Sequence, residues 1–301
     1  MSKMFSCARL TACAGLAISL TLAACEPAPP TSDSELNQPV ATPEALLDWA
    51  IDGKWRSQDA GRDQWRHPKE TLQFFGLQPD MTVLELWPGG GWYSQILAPY
   101  LARGKGQLIA AHFDPKMAET NAFVRDSLTE YQQSFVQGPV RYGDITLVAL
   151  GPDSKALAPE NSVDLAMTFR NIHNWLNAGY AEKVFADVYA ALKPGGHFGI
   201  VEHRANADKP ADPLARNGYV REAYVMRLAK EAGFELVDSS EINANPADTK
   251  DHPFGVWTLP PVRRSSAPGE APNPEFNHAP YDVMGESDRM TLLFRKPSTD
   301  G

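Results

Sequence analysis

Two short polar runs carry the side-chain types that move protons near neutral pH. "FRNIHNW" at 169–175 and "VEHR" at 201–204 each end an apolar stretch that is typical of a buried strand. An imidazole or a carboxylate at such a place is suited to general acid–base catalysis. We therefore predict His173, Glu202 and His203 as catalytic residues, with His173 as the first candidate for a base or a substrate contact.

Structural alternatives stay open for the same residues. His173 can cap the helix that follows it, and Glu202 can form an ion pair with Arg204. Because neighbours in a strand point to opposite faces, only one of Glu202 and His203 is expected to face a pocket. A metal held by His173, His203 and His252 would need a ligand spacing that the sequence does not show, so no metal site is predicted.

A glycine-rich loop, "VLELWPGGGWYS" at 83–94, follows a short apolar strand. A dinucleotide fingerprint needs a third glycine where this loop has Ser94, and a phosphate-binding P-loop needs a Gly-Lys pair that is missing here. Glu85 instead places an acid four residues before Gly89, which suits a ligand with a positively charged amino group. Trp87 stands where such loops usually keep a small residue.

Strand and helix patterns alternate through the chain, which predicts an α/β fold with a parallel sheet covered on both faces. Ligands of such sheets bind at the carboxyl ends of the strands, where the glycine loop lies. A Pro-rich stretch at about 259–287 separates the last two strands. The predicted strands are Thr82–Leu86, Gly106–Phe113, Ser162–Phe169, His197–His203, Phe234–Asp238 and Met290–Arg295.

Four motifs together resemble the class I S-adenosylmethionine-dependent methyltransferases. "VLELWPGGGW", "GDI" at 143–145, "SVDLAMTFRNIHNW" and "LKPGGHFGIVEHR" stand in the order seen in that family, and more narrowly the chain is similar to exported bacterial proteins predicted to be methyltransferases. The resemblance covers 71–204, and less firmly the chain to 296. It implies a Rossmann-like sheet, mostly parallel with an antiparallel last strand, S-adenosyl-L-methionine as cofactor and a small molecule as methyl acceptor.

The resemblance also implies cofactor-binding residues around the glycine loop. Glu85, Gly89 and Gly91 would surround the methionine half of the cofactor, and Arg170 lies at the edge towards which the methyl group points. Trp87 would either narrow the pocket or fill the core under the loop.

For the adenosine half, Asp144 matches the acid that holds the adenine amino group in the family. His112 stands where the family has an acid for the ribose hydroxyls, and Asp114 is the nearest acid that could replace it. These departures favour a second hypothesis, a non-catalytic ligand-binding protein on the same fold. A third, an aminopropyl transferase, lacks its paired aspartates.

The composition excludes one class of partner and points to export. A formal charge of −9 with no basic stripe argues against a nucleic-acid surface. Residues 1–24 have the pattern of a signal peptide, with Lys3 and Arg9 before an apolar stretch that is shorter than the roughly 20 residues of a membrane span.

"LAAC" at 22–25 resembles the cleavage site of bacterial lipoproteins, which implies a lipid on Cys25; a plain secretory signal is the alternative. We expect a flexible tether at 25–43, a methyltransferase-like domain at 44–301 and a position in the cell envelope, anchored by lipid and facing the periplasm or exterior. Because S-adenosylmethionine is made in the cytoplasm, an exported protein would need a supply of this cofactor outside it. The sequence does not indicate an oligomeric state.

Overall fold

The computed structural model describes residues 42–119 and 121–298. The predicted signal peptide, Cys25 and all but the end of the predicted tether lie outside these residues. None of the helices in the described part of the chain is long and apolar enough to cross a membrane.

In the described residues, seven strands form one sheet in the order β3-β2-β1-β4-β5-β7-β6. Strand β7 is antiparallel to the other six, which are parallel to one another. This confirms the predicted mostly parallel α/β sheet with an antiparallel last strand. The strands are β1 Thr82–Leu86, β2 Gln107–Phe113, β3 Ile145–Leu150, β4 Val163–Phe169, β5 Leu192–His203, β6 Glu235–Ser240 and β7 Arg289–Arg295.

Helices cover both faces of the sheet, and several begin at residues that favour a helix start. Thr42 accepts a hydrogen bond from the amide of Ala45, and Asp114 accepts one from that of Lys116; a proline follows each as the first helical residue. The α-helices are α1 Pro43–Ile51, α2 Asp63–Arg66, α3 Pro68–Phe74, α4 Ser94–Gly104, α5 Pro115–Ala118, α6 Ala122–Tyr131, α7 Ile172–Ala178, α8 Ala181–Ala191, α9 Glu222–Glu231 and α10 Ala279–Met284.

Alternation along the strands builds a core on each face of the sheet. Val83 packs on one side with α1 and α4, whereas its neighbour Leu84 packs on the other side with α8 and α9. Short turns of 3-10 or π-helix complete the structure at Lys54–Arg56, Ala60–Arg62, Gln132–Val136, Val140–Tyr142 and Gly255–Thr258.

Two strands differ from the prediction. β3 was not predicted, although "ITLVAL" is apolar and rich in β-branched residues. β5 starts at Leu192 rather than His197, because "LKPGG" continues the strand instead of forming a turn. A register shift opposite Val163 and Leu165 accommodates the extra residues.

The topology creates a crevice beside the glycine loop. After β1 the chain builds β2 and β3 on one side and then returns to place β4 on the other side of β1. Helices that follow β1 and β4 therefore diverge, and the carboxyl ends of these strands border an open crevice. The loops after β1, β4 and β5 all reach this place.

Candidate functional site

The crevice contains two adjoining chambers. The large chamber has a volume of about 860 Å³ and the small chamber one of about 280 Å³. Ligand sites typically have volumes of about 300–1,000 Å³. Both chambers are lined by Arg62, Arg66, Trp87, Gly89, Arg170 and Asn171.

The glycine loop is open towards both chambers. Gly89 and Gly91 have φ values of +58° and +78°, a region that favours glycine. A Cβ atom at Gly89 or Gly90 would meet nothing within 4 Å, whereas one at Gly91 would lie 2.2 Å from the ring of Phe135. Gly91 is therefore needed for packing, and Gly89 and Gly90 leave room for a ligand.

Trp87 belongs to the core and at the same time forms a wall of the crevice. Its indole N–H donates a hydrogen bond to the carbonyl oxygen of Leu150 (3.0 Å), at the end of β3. The ring packs edge-on against Phe113 and Trp175, at centroid distances of 4.6 Å and 5.8 Å. Its side chain bridges the ends of β1, β2 and β3 and narrows the crevice without closing it.

Glu85 is a buried acid at the small chamber. The hydroxyl of Ser94 donates a hydrogen bond to its carboxylate (2.6 Å), and the Tyr131 hydroxyl lies 2.9 Å from that of Ser94. Burial raises the pKa of Glu85 to about 7, against a smaller lowering by the bond from Ser94. A positively charged ligand group would stabilise the ionised form.

His112 supports the glycine loop and has no nitrogen left for a ligand. Its Nδ1 accepts a hydrogen bond from the amide of Phe113 (2.8 Å), so its Nε2 donates to the carbonyl oxygen of Gly89 (3.1 Å). Burial lowers the pKa of His112 to about 4, which keeps the ring neutral. Asp114 caps α5, and neither residue lines a chamber. The ribose contact suggested for these two residues stays a prediction.

The structure places Asp144, for which an adenine contact was predicted, away from the crevice. Asp144 is exposed and directly precedes β3, at its amino end. Six residues at about 3.3 Å each separate it by about 20 Å from the carboxyl edge where the crevice lies. The unpredicted β3 explains this position, because Asp144 lies before the strand and not at its carboxyl end.

The three predicted catalytic residues lie together beside the large chamber. The buried Glu202 accepts hydrogen bonds from His173 Nδ1 (3.0 Å), from the amide of Ile172 (2.6 Å) and from that of His203 (2.9 Å). With Nδ1 as donor, Nε2 of His173 carries the free lone pair. His173 and His203 both line the large chamber.

The alternatives left open by the sequence are not observed. Arg204 forms its ion pairs with Asp288 (3.0 Å) and Glu241 (2.6 Å) rather than with Glu202. His173 lies within the first turn of α7, where its ring bonds to Glu202 rather than capping the helix.

A metal-like cluster exists, but its members differ from those that the sequence suggested. His252 bonds to Asp248 (2.8 Å) and lines neither chamber, whereas Glu202 joins His173 and His203 with ligand atoms within 4.8 Å of one another. The Glu202 oxygens already accept three N–H groups. Burial lowers the pKa of His203 well below its usual value, with further lowering by His173, Arg170 and Arg289, so this ring is neutral. We therefore interpret the cluster as a proton-handling pair, His173 and Glu202.

Sequence reasoning missed a cluster of arginines around Glu286. Arg62, Arg66, Arg170 and Arg289 lie 2.7, 3.2, 3.5 and 3.3 Å from its carboxylate. Burial lowers the pKa of Arg170 to about 10, with a further lowering by Arg289 and Arg62 that opposes the effect of Glu286. These residues come from segments that are distant in the sequence, so no local motif indicates the cluster.

Comparisons with known proteins find similar solved structures at low sequence identity. No family model and no curated protein matches the chain. A similar solved structure is a SAM-dependent methyltransferase from Aquifex aeolicus, 18% identical over 68% of this chain and 94% of that chain, with a TM-score of 0.47. An S-adenosylmethionine-dependent methyltransferase from Mesorhizobium loti is 16% identical over 81% and 99%, with a TM-score of 0.45.

A third similar structure is the 1,6-didemethyltoxoflavin-N1-methyltransferase from Burkholderia thailandensis, with bound 1,6-didemethyltoxoflavin and S-adenosylhomocysteine. It is 15% identical over 87% of this chain and 93% of that chain, with a TM-score of 0.43. At these identities function has to be argued from the residues of this chain.

The pKa of Glu85 predicts a specific pH dependence of stability. Because the folded-state pKa of about 7 lies above the usual 4.5, the carboxyl binds its proton more tightly in the folded chain. Its contribution to the free energy of unfolding therefore falls as pH rises from 4.5 to 7. Glu85→Gln removes this loss, so its stability relative to wild type should rise by on the order of 2 kcal/mol between pH 5 and pH 8.

Urea unfolding at both pH values measures this change, with the exposed Glu70→Gln as the matched control. A stability difference between Glu85→Gln and wild type that stays constant with pH would contradict the buried, proton-binding carboxyl.

Proposed function

We propose that this chain is an S-adenosylmethionine-dependent methyltransferase that acts on a small molecule. The observation that carries the proposal is the pair His173–Glu202, whose free imidazole nitrogen borders the same chamber as the glycine loop after β1. A proton acceptor beside an open loop at the carboxyl edge is what transfer of a methyl group to a protonated acceptor requires.

The residues of the small chamber fit the amino acid end of the cofactor. Glu85 offers a buried carboxyl to an ammonium group, and Gly89 and Gly90 leave space above the loop. Trp87 and Phe113 offer apolar surface in the large chamber to a planar ring. When bound, S-adenosylmethionine supplies a methyl group on a positively charged sulfur. Among the described residues, no carboxylate at the end of β2 lines a chamber to receive the ribose hydroxyls.

The chain's own residues would bind, orient and deprotonate the acceptor. Nε2 of His173 takes the acceptor proton, and the buried Glu202 stabilises the imidazolium that forms. Trp257 and Pro260 line the large chamber and offer apolar surface to the acceptor. The hydroxyl of Ser287 lies 2.5 Å from Nδ1 of His203 and holds that ring beside His173.

The alternative is a ligand-binding protein without catalysis on the same fold. Trp87 favours it, because its indole occupies space at the ends of β2 and β3 and uses the Leu150 carbonyl oxygen. His112, whose two nitrogens are both engaged, favours it as well. The two hypotheses differ in whether S-adenosylmethionine binds.

Calorimetric titration of S-adenosylmethionine and S-adenosylhomocysteine into the purified chain distinguishes them. We expect binding that weakens about tenfold or more in Glu85→Ala, because an ammonium group loses its charged partner. Since the pKa of Glu85 is about 7, binding should also release a proton near neutral pH, so the measured heat should change with the ionisation enthalpy of the buffer.

Glu70→Ala, an exposed acid on α3, is the control and should bind as the wild type does. A folded sample that binds neither compound would leave only the ligand-binding alternative. Equal affinity of Glu85→Ala and wild type would refute the assignment of Glu85.

We also propose that the chain is exported and anchored at the cell envelope by a lipid on Cys25, on the strength of the "LAAC" sequence. Mass spectrometry of the membrane fraction should find the N-terminal peptide starting at an acylated Cys25. An N-terminus elsewhere, or an unmodified Cys25, would contradict the anchor.

A further inference from the structure

Around Glu286, the crevice has more positively charged than negatively charged side chains. Four arginines surround Glu286, and the acids nearest to them in sequence are used elsewhere: Asp63 pairs with Arg56 (2.7 Å) and Asp288 with Arg204 (3.0 Å) and Lys250 (2.6 Å). In a chain with a formal charge of −9, such an excess is local and built by the fold. Burying like charges together is costly unless a counter-charge joins them.

The excess faces the large chamber. In the small chamber the arginines are opposed by two acids, Asp59 and Glu85. In the large chamber Glu286 is the only acid among the lining residues that the structure describes. An anion is therefore attracted to the large chamber, where His173 also lies.

The arginine donors are arranged to receive an anion. Arg66 is buried, its guanidinium lies over the ring of Trp92 at 4.5 Å, and its Nη1 has no hydrogen-bond partner among the described residues. A buried donor without a partner costs free energy that a ligand acceptor restores. The side chains of Arg62 and Arg170 are 27% and 23% exposed and remain accessible from the crevice. Forked guanidinium donors match the oxygens of a carboxylate or a phosphate.

The large chamber also has apolar surface beside its polar residues. Trp257, Pro260, Pro261 and Val262 line it, as does Phe123, which has 69% of its surface exposed. We propose that the large chamber binds a small molecule with an apolar body and an anionic group, a carboxylate or phosphate, which Arg62, Arg66 and Arg170 receive. The assignment of this molecule as the methyl acceptor rests on the proposed function, whereas the anion site itself does not.

The first test uses 4-hydroxybenzoate and its neutral analogue 4-hydroxybenzyl alcohol as probes, by calorimetry in a buffer free of phosphate and sulfate. We expect the acid to bind about tenfold or more tightly than the alcohol, and inorganic phosphate to bind as well. Arg62→Gln should remove the preference for the acid. Arg227→Gln, which loses an exposed arginine paired with Glu231 on α9, should retain it.

Glu286→Gln is the second variant, because it removes the only carboxylate in the cluster and leaves the arginines in place. Its affinity for 4-hydroxybenzoate and for phosphate should rise by about tenfold, and phosphate should raise its melting temperature more than that of wild type. The proposal is overturned if neither anion distinguishes wild type from Arg62→Gln.

S-adenosylhomocysteine and decarboxylated S-adenosylmethionine separate the two sources of a carboxylate. The proposal predicts that 4-hydroxybenzoate still binds when S-adenosylhomocysteine is saturating. Displacement of 4-hydroxybenzoate, together with much weaker binding of the decarboxylated cofactor, would assign the arginines to the cofactor and overturn the proposal. Anion binding that depends on Arg62 in a chain that binds no S-adenosylmethionine would retain the anion site and refute the methyltransferase.

Discussion

The carboxylate of Glu202 is the interaction on which the site depends. It lies on β5 with no exposed surface, and a polar group buried there costs free energy unless its hydrogen-bond donors stay in place. Two of them, the amide of Ile172 and Nδ1 of His173, come from the segment after β4. Asn171 joins this segment to the glycine loop by donating to the carbonyl oxygens of Leu86 (3.0 Å) and Trp87 (3.2 Å). One buried carboxyl group thus links the end of β5 to the loops after β4 and β1.

Two further residues, Trp87 and His112, hold the glycine loop in place. Trp87 is bulky for a glycine-rich loop, but its indole is bonded to the end of β3 and packed against Phe113. The ring of His112 holds the carbonyl oxygen of Gly89. Both residues make the loop more rigid, and the buried carboxyl of Glu85 lies at the small chamber. The polarity of the crevice therefore runs from an acid in the small chamber, past the arginines, to an imidazole in the large chamber.

Sequence patterns predicted the parts of the fold and site that depend on neighbours in the chain. Apolar runs located six of the seven strands, and because parallel strands end at a common edge, His173, Glu202 and His203 were expected there together. Asp144 was expected at this edge because β3 was not predicted; the strand begins after Asp144 and places it at the opposite edge. The arginine cluster could not be predicted from the sequence, because Arg62 and Glu286 are separated by 224 residues and meet only in the folded chain.

A crystal structure of the chain with S-adenosylhomocysteine tests the proposed site most directly. The ligand's amino group should lie at the carboxylate of Glu85, with its sulfur above Gly89 and Gly90 on the side of His173. Trp87 and His112 should keep their bonds to Leu150 and Gly89. A complex in which the ligand lies away from this crevice, or reaches it only after Trp87 leaves the core, would contradict the site as we describe it.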